Sequence, residues 1–140
     1  MADEKTYVSS AGWYTLMYPD PWVVTDDDTC TTFCEPAQGV GALQVSVYQA
    51  PDPQDPTDLL FEYLSDRGIE SEEDIEYYES NSNRIAVTSY VRDDEKFWRV
   101  WFIARSVLFL FVTYNCNTQF RDVEFETVDR IVGSITLINP

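Results

Sequence analysis

One segment, FWRVWFIARSVLFLFVTY at residues 97–114, limits the folds that this chain can adopt. Arg99 and Arg105 interrupt it, so its apolar run is far shorter than the roughly 20 residues of a membrane-spanning helix. We therefore predict two adjacent buried β-strands. In VLFLFVTY both alternating sets of side chains are apolar, which indicates a strand that is covered on both faces of its sheet.

Short segments rich in β-forming residues fill the N-terminal third of the chain. Turns rich in proline, aspartate and glycine separate them, which is typical of successive antiparallel strands. The sequence predicts one antiparallel meander built from WYTLMY (13–18), WVVT (22–25), TCTTFCE (29–35) and ALQVSVYQA (42–50).

The stretch YPDPW at residues 18–22 ends the first of these strands. Pro19 and Pro21 lack the amide hydrogen that a sheet ladder needs, so the chain is expected to turn there. Trp22 follows at the start of the next strand. We interpret Pro19, Pro21 and Trp22 as structural anchors that direct the tryptophan ring into the core. The alternative is an exposed aromatic and proline binding motif.

A helix is predicted within PDPQDPTDLLFEYLSDRG. Asp55 suits the N-cap, Pro56 the first helical position, and Gly68 the C-terminal end. The predicted apolar stripe consists of Thr57, Leu60, Phe61 and Leu64.

A second helix is predicted within FRDVEFETVDRIVGS, with Phe125, Val128, Ile131 and Val132 on one stripe. The order of elements is then strands, helix, strands, helix. Such an order predicts an α+β fold in which helices pack on the faces of an antiparallel β-sheet.

The segments YTLMYPDPW, GALQVSVYQAP, DPTDLLFEYL, LFLFVTYN and VEFETVDRIVGSITL, in this order, resemble the Mog/PsbP-like superfamily. Many relatives have glycine where this chain has Pro21. The resemblance implies a PsbP-like α/β/α sandwich of a bacterial type. The length of 140 residues predicts a single domain over residues 1–140, in which residues 1–12 form a partly ordered N-terminal segment.

Members of the resembled superfamily act as accessory proteins, among them a Ran-binding factor, a photosystem subunit, and adaptor or chaperone proteins. The resemblance therefore implies a non-enzymatic protein-binding module, such as an adaptor, a chaperone-like protein or an immunity-type protein. The chain has no histidine, which excludes Ser-His-Asp, Cys-His and histidine metal sites. The alternative is a small enzyme that uses carboxylates or Cys116 without histidine.

The three cysteines, Cys30, Cys34 and Cys116, are an odd number. Cys30 and Cys34 are expected on one strand, roughly 13 Å apart, which is too far for a disulfide. The opening MADEKTYVSS has no apolar region of the kind that a secretory signal needs. We therefore predict reduced thiols and a cytoplasmic location.

Acidic residues outnumber basic ones by 25 to 9, and the formal net charge is −16. Such a surface repels nucleic acids and anionic lipids and attracts cationic partners, so we expect another protein of basic character as the partner and no membrane insertion. Asp26, Asp27 and Asp28 lack the ligand spacing of a calcium loop and are predicted to form a solvated hairpin turn. No metal and no cofactor is predicted.

The stretch at residues 70–79 combines acidic residues with two tyrosines and contains no basic residue. Tyrosine is favoured at interfaces, and carboxylates steer basic partners. We predict a partner-binding role for Glu72, Glu73, Asp74, Glu76, Tyr77 and Tyr78. The alternative is a solvated connector that enters a strand. Because neighbouring side chains of a strand point to opposite faces, one tyrosine is expected to face outward and the other inward.

Overall fold

The computed structural model describes residues 3–27, 30–37, 39–69, 75–93 and 95–138. Within these residues the strands form two sheets, and every pairing is antiparallel. A small sheet contains three strands, and a large one contains seven. Two α-helices complete the fold, which confirms the α+β class predicted from the sequence.

The small sheet joins β1 (Glu4–Val8), β2 (Tyr14–Pro19) and β10 (Thr136–Leu137). β1 lies within the segment 1–12 that was expected to be partly ordered, and it pairs with β2 along its whole length. The predicted meander is wrong in one respect, because β2 does not pair with β3. Its two neighbours are β1 and β10, and the latter comes from the other end of the described chain.

The large sheet contains seven strands. They are β3 (Val23–Asp26), β4 (Thr31–Cys34), β5 (Gly41–Gln49), β6 (Glu76–Ser80), β7 (Asn83–Arg92), β8 (Lys96–Arg105) and β9 (Leu108–Asn117). Their order across the sheet is β3-β4-β5-β9-β8-β7-β6. β8 and β9 form the predicted pair of adjacent buried strands. Cys30 lies just before β4 rather than on it.

Helix α1 (Pro56–Asp66) begins as the sequence predicts. The Asp55 side chain accepts a hydrogen bond from the Thr57 backbone N–H at 2.8 Å. Gly68, with φ of 61°, follows the last turn. Leu60 and Leu64 are buried against β7 and β8, but Phe61 is 60% exposed. Its predicted place in the buried stripe is therefore wrong.

Phe61 is exposed because the helix lies on the sheet with Tyr63 and Leu59 beside Leu60 and Leu64, which leaves Phe61 on the solvent side.

A second helix, α2 (Phe125–Gly133), follows a short 3₁₀ turn at Thr118–Phe120. Val128, Ile131 and Val132 of α2 are buried, as predicted. No helix among the described residues is long and apolar enough to span a membrane.

The main core lies between the large sheet, the small sheet and α2. Trp22 belongs to it, and the Trp22 backbone N–H donates to the Pro19 carbonyl at 3.0 Å, so a tight turn separates β2 from β3. Trp101, Leu110 and Val112 fill the centre of this core. A second, smaller cluster lies under α1 on the other face of the large sheet, so the sheet is buried on both faces near its middle.

Candidate interaction surface

Helix α1 covers only part of its face of the large sheet. It packs mainly on β7 and β8 and reaches β9 through the ring of Tyr63, so β9 and β5 are less covered on this face than β7 and β8. On this side Phe109 and Phe111 of β9 are half-buried, and Tyr48 of β5 is 46% exposed. The result is an open groove of about 600 Å³ between the helix and the sheet.

The groove is lined by rings that contact one another. Tyr48 stacks on Phe109 with ring centres 5.1 Å apart, and Tyr63 of α1 lies 5.2 Å from Phe111. Phe102 lies 5.1 Å from Phe111 beneath them. We call Tyr48, Tyr63, Phe102, Phe109 and Phe111 the aromatic groove. Such contacts hold the rings in a fixed arrangement that does not depend on a partner.

One side of the aromatic groove is bordered by carboxylates of α1. Asp58, Glu62 and Asp66 recur at every fourth position and so lie on one ridge of the helix, and Glu62 and Asp66 line the groove. We call these three residues the acidic ridge. Like charges at this spacing destabilise a helix, and Asp66 stands at the negative end of the helix dipole with no basic residue in the last turn.

Arg67 is the cation among the described residues that line the groove. Its guanidinium carbon lies 4.1 Å above the centre of the Tyr63 ring. A cation is therefore already held on one of the ring faces of the groove, as cation–π attraction favours.

The predicted partner-binding stretch is described only in part. Glu72, Glu73 and Asp74 lie outside the described residues, whereas Glu76, Tyr77 and Tyr78 lie on β6. β6 is an edge strand of the large sheet. Tyr77 pairs with Ala86 and shares the face of α1, while Tyr78 pairs with Ile85 on the opposite face.

The expectation that one of the two tyrosines packs inward is wrong. Tyr77 is 51% exposed and Tyr78 is 38% exposed, although they do point to opposite faces. The reason is that β6 lies at the margin of the sheet, where α1 and α2 no longer cover it fully. Burial against the sheet still raises the pKa of Tyr78, and the nearby Asp129 carboxylate adds to this effect.

A buried arginine lies on the same face as Tyr78. Arg99 donates to the Ser89 hydroxyl at 3.1 Å and lies between the rings of Trp101 and Phe125, at 5.3 and 5.0 Å. Its Nε is 3.4 Å from Asp129 of α2. Burial raises the pKa of Asp129, and the guanidinium opposes that shift. These contacts attach α2 to the sheet.

The cysteines are free thiols. Cys116 is buried, and burial raises the pKa of its thiol, which disfavours the thiolate that a nucleophile requires. Beside it, the Tyr114 hydroxyl donates to the buried Glu124 carboxylate at 2.7 Å. Cys30 and Cys34 are half-buried.

The predicted Asp26–Asp28 turn is only partly described, because Asp28 lies outside the described residues. Asp26 is exposed, as predicted, but it belongs to a strand rather than to the turn. It ends β3, and its carboxylate accepts hydrogen bonds from Tyr7 and Thr31, at 2.7 Å each. Among the described residues, no three Cys, Asp or Glu side chains gather in a group that would hold a metal ion.

In sequence, the chain matches no protein-family model and no curated protein. In structure it is similar to CyanoP, the cyanobacterial PsbP of Synechocystis sp. PCC 6803, with a TM-score of 0.68, 14% identity, and 99% of this chain and 94% of CyanoP covered. It is also similar to the Ran-binding protein Mog1p of Saccharomyces cerevisiae, with a TM-score of 0.63, 9% identity, and 99% and 97% covered. The chain has a PsbP/Mog1-like fold.

The PsbP/Mog1-like fold confirms the resemblance seen in the sequence. A Bacteroides thetaiotaomicron protein matches with a TM-score of 0.71 and 11% identity over 96% of this chain, which spans only 48% of that longer protein. At such identities the likeness shows the fold alone.

Sequence reasoning missed the aromatic groove. The alternation of Phe109 and Phe111 indicated a covered face, and nothing local shows that the helix on that face packs mainly on β7 and β8. The acidic ridge did have a local signal, because Asp58, Glu62 and Asp66 repeat at every fourth position of a predicted helix.

Proposed function

We propose that the chain is a non-enzymatic accessory module that binds a basic segment of another protein. The observation that carries the proposal is the acidic ridge of α1 beside the open aromatic groove. In this proposal residues 1–140 act as one domain. The three free thiols support a cytoplasmic location.

The chemistry of the groove favours lysine or arginine side chains that alternate with apolar ones. Glu62 and Asp66 would attract the cationic groups, and the exposed ring of Tyr48 offers a face for either kind of side chain. Arg67 on Tyr63 is an intramolecular example of this recognition. The net charge of −16 speeds encounter with a basic partner.

The cost of the acidic ridge supports a binding role. Each pair of like charges four residues apart destabilises a helix by about 0.2–0.5 kcal/mol, and a carboxylate at the C-terminal end adds a similar cost. Glu62 and Asp66 carry this cost and line the groove beside exposed aromatic rings, which is typical of a binding surface rather than of a solvated face.

The stretch Glu72, Glu73, Asp74, Glu76, Tyr77 and Tyr78 remains our proposal for a second contact with the same partner. Tyr77 shares the sheet face of α1, and β6 presents the free edge of the large sheet. An extended partner segment that adds to this edge would lie beside the helix. Mog1p, which is a Ran-binding protein, is an example of a protein of this fold that binds a protein partner.

A pull-down from extract of the native source, eluted with increasing salt, tests the main surface. The variant Glu62→Gln/Asp66→Asn removes two charges from the groove. Asp122→Asn/Glu126→Gln is the matched control, because these exposed carboxylates lie next to or on α2, on the opposite face of the sheet. We expect partners to be lost from the first variant and retained by the control. Equal retention by both variants would refute the groove as the binding site.

The second contact needs its own measurement. Reversal of Glu72, Glu73 and Asp74 to lysine should slow association with a partner identified on the wild-type chain and flatten its salt dependence. Circular dichroism checks that the domain stays folded. If association keeps its rate and its salt dependence, the stretch is a solvated connector and the groove acts alone.

A further inference from the structure

A second cavity, of about 350 Å³, lies on the opposite face of the large sheet from the aromatic groove, between the β1–β2 hairpin and the strands β3 to β5. Ser9, Ser10 and Ala11 form its rim, and Val45 and Val47 of β5 form its floor. The remaining lining residues are polar or aromatic: Tyr7, Tyr14, Asp26, Asp27, Cys30 and Thr31. The cavity is distinct from the aromatic groove and shares no lining residue with it.

Three oxygen atoms converge in this cavity. The hydroxyl groups of Tyr7 and Thr31 both donate to Oδ1 of Asp26, at 2.7 Å each. The two hydroxyl oxygens are 3.2 Å apart. Each hydroxyl has one hydrogen, and Asp26 accepts both, so no hydrogen remains for the contact between them. Tyr7 Oη, Thr31 Oγ1 and the Asp26 carboxylate therefore keep lone pairs that can accept from a ligand.

A fourth oxygen in the cavity has no partner. Tyr14 is only 1% exposed, and its hydroxyl makes no hydrogen bond within the described residues. Burial raises the pKa of this phenol more than the nearby Thr31 hydroxyl lowers it, and Tyr7 and Asp26 add smaller upward effects, so the phenol stays neutral. A buried hydroxyl without a partner is costly and points to a ligand or to water in the cavity.

The charge of the cavity is negative. Its described lining contains two carboxylates, of Asp26 and Asp27, and none of the chain's nine lysine and arginine residues. Lys5, two positions before Tyr7 on β1, is paired instead with Asp20 at 3.0 Å. The rings of Tyr7 and Tyr14, with centres 5.9 Å apart, add two faces that attract cations.

We propose that this cavity binds a primary alkylammonium group. Three N–H donors on one nitrogen match the three converging acceptors, the tyrosine rings attract the positive charge, and the valine floor accommodates a short alkyl chain. Such a group is provided either by a small free amine or by the lysine side chain of a protein. The site goes beyond the proposed function, because it uses neither the acidic ridge nor the aromatic groove.

Titration of the isotope-labelled protein with n-butylamine, followed by amide chemical shifts, tests the proposal. We expect saturable shifts at Tyr7, Tyr14 and Thr31, and no saturation with n-butanol, which has the same alkyl chain without the charge. A second titration with Nα-acetyl-lysine methylamide distinguishes the sources. Binding of both amines indicates a lysine side chain, and binding of n-butylamine alone indicates a small free amine.

Two variants locate the binding. Asp26→Asn keeps an oxygen that accepts from Tyr7 and Thr31 but removes the charge, and we expect it to weaken n-butylamine binding by roughly tenfold or more. Tyr14→Phe should weaken it less and leave the fold intact, since the lost hydroxyl has no partner. Asp122→Asn, an equal change of charge outside the cavity, should have no effect.

The variant Glu62→Gln/Asp66→Asn should bind n-butylamine normally, so failure of the groove and failure of the cavity can be told apart. If n-butylamine and n-butanol give the same unsaturated shifts, the cavity holds water only and the proposal is wrong. Equal n-butylamine affinity in Asp26→Asn, Tyr14→Phe and the wild type would overturn it as well.

Discussion

The two faces of the large sheet differ in how they are covered. At β9 the face toward the small sheet and α2 is closed, and consecutive inward residues such as Leu110 and Val112 have no exposed surface. The face toward α1 is covered by one helix of 11 residues, and Phe109 and Phe111 on the same strand stay half-buried. The closed face therefore determines stability, while the α1 face has apolar surface left for binding.

The largest expected effect is on the closed face. Trp22→Ala should destabilise the protein by about 3–5 kcal/mol, because it empties a large aromatic site in the main core. Urea unfolding measures the change. Val23→Ala, at the exposed neighbouring position, is the control and should change stability little. An unchanged midpoint for Trp22→Ala would mean that YPDPW is a surface motif.

Adjacent residues of β9 compare the two faces directly. Leu110→Ala should cost about 3 kcal/mol, because its side chain is enclosed on the closed face. Phe109→Ala should cost only about 1.5 kcal/mol, although phenylalanine is larger, because its ring is half-buried and stacks on the exposed Tyr48. Equal losses in urea unfolding would show that the α1 face is as much a core as the other.

Alkaline pH should lower the free energy of unfolding through two tyrosines of the main core. Burial raises the pKa of Tyr14 and Tyr114 there, so their neutral forms stabilise the native state. This contribution is complete below about pH 10, the unfolded pKa, and above it is lost at about 1.4 kcal/mol per pH unit for each tyrosine. Urea unfolding at several alkaline pH values measures the slope. Tyr14→Phe should reduce the slope, and an unchanged slope would contradict the assignment.

The smallest effects concern the acidic ridge. Asp66→Asn should stabilise the protein by about 0.3–1 kcal/mol because it removes a carboxylate from the negative end of the α1 dipole. Asp58→Asn, in the first turn, should destabilise it by a similar amount. Thermal unfolding measures both changes. If both variants weaken partner binding, the acidic ridge contributes to binding whether it stabilises or destabilises the helix. If partner binding is unchanged in both, the ridge is a solvated helix face.

Local signals predicted most elements of this fold. Asp55 and Pro56 mark the start of α1. In α2 the buried residues are those that the apolar spacing predicted. The two hydrophobic segments at residues 97–114 are β8 and β9, which begin one residue before this segment and end three residues after it. These features depend on backbone geometry and on residues close in sequence, which is why a single sequence reveals them.

The arrangement of the sheets and the sites could not be predicted in this way. Whether β2 pairs with β3 or with β10 depends on contacts between distant parts of the chain, and alternation of side chains does not distinguish them. The oxygen cluster of Tyr7, Asp26 and Thr31 comes from three strands in two sheets. The aromatic groove depends on the length of α1 and on its position relative to β9. No local sequence pattern indicates that position.

The attachment of β2 has a consequence for the order of folding during synthesis. The Met17 backbone N–H donates to the Ser134 hydroxyl at 2.9 Å, across 117 positions of sequence, and the Ile138 N–H donates to the Trp13 carbonyl at 2.8 Å. A ribosome needs roughly ten seconds to add that many residues. Throughout this interval one edge of β2 is unpaired, and Tyr14 and Leu16 lack the cover of α2, so the nascent hairpin is open to association with other chains.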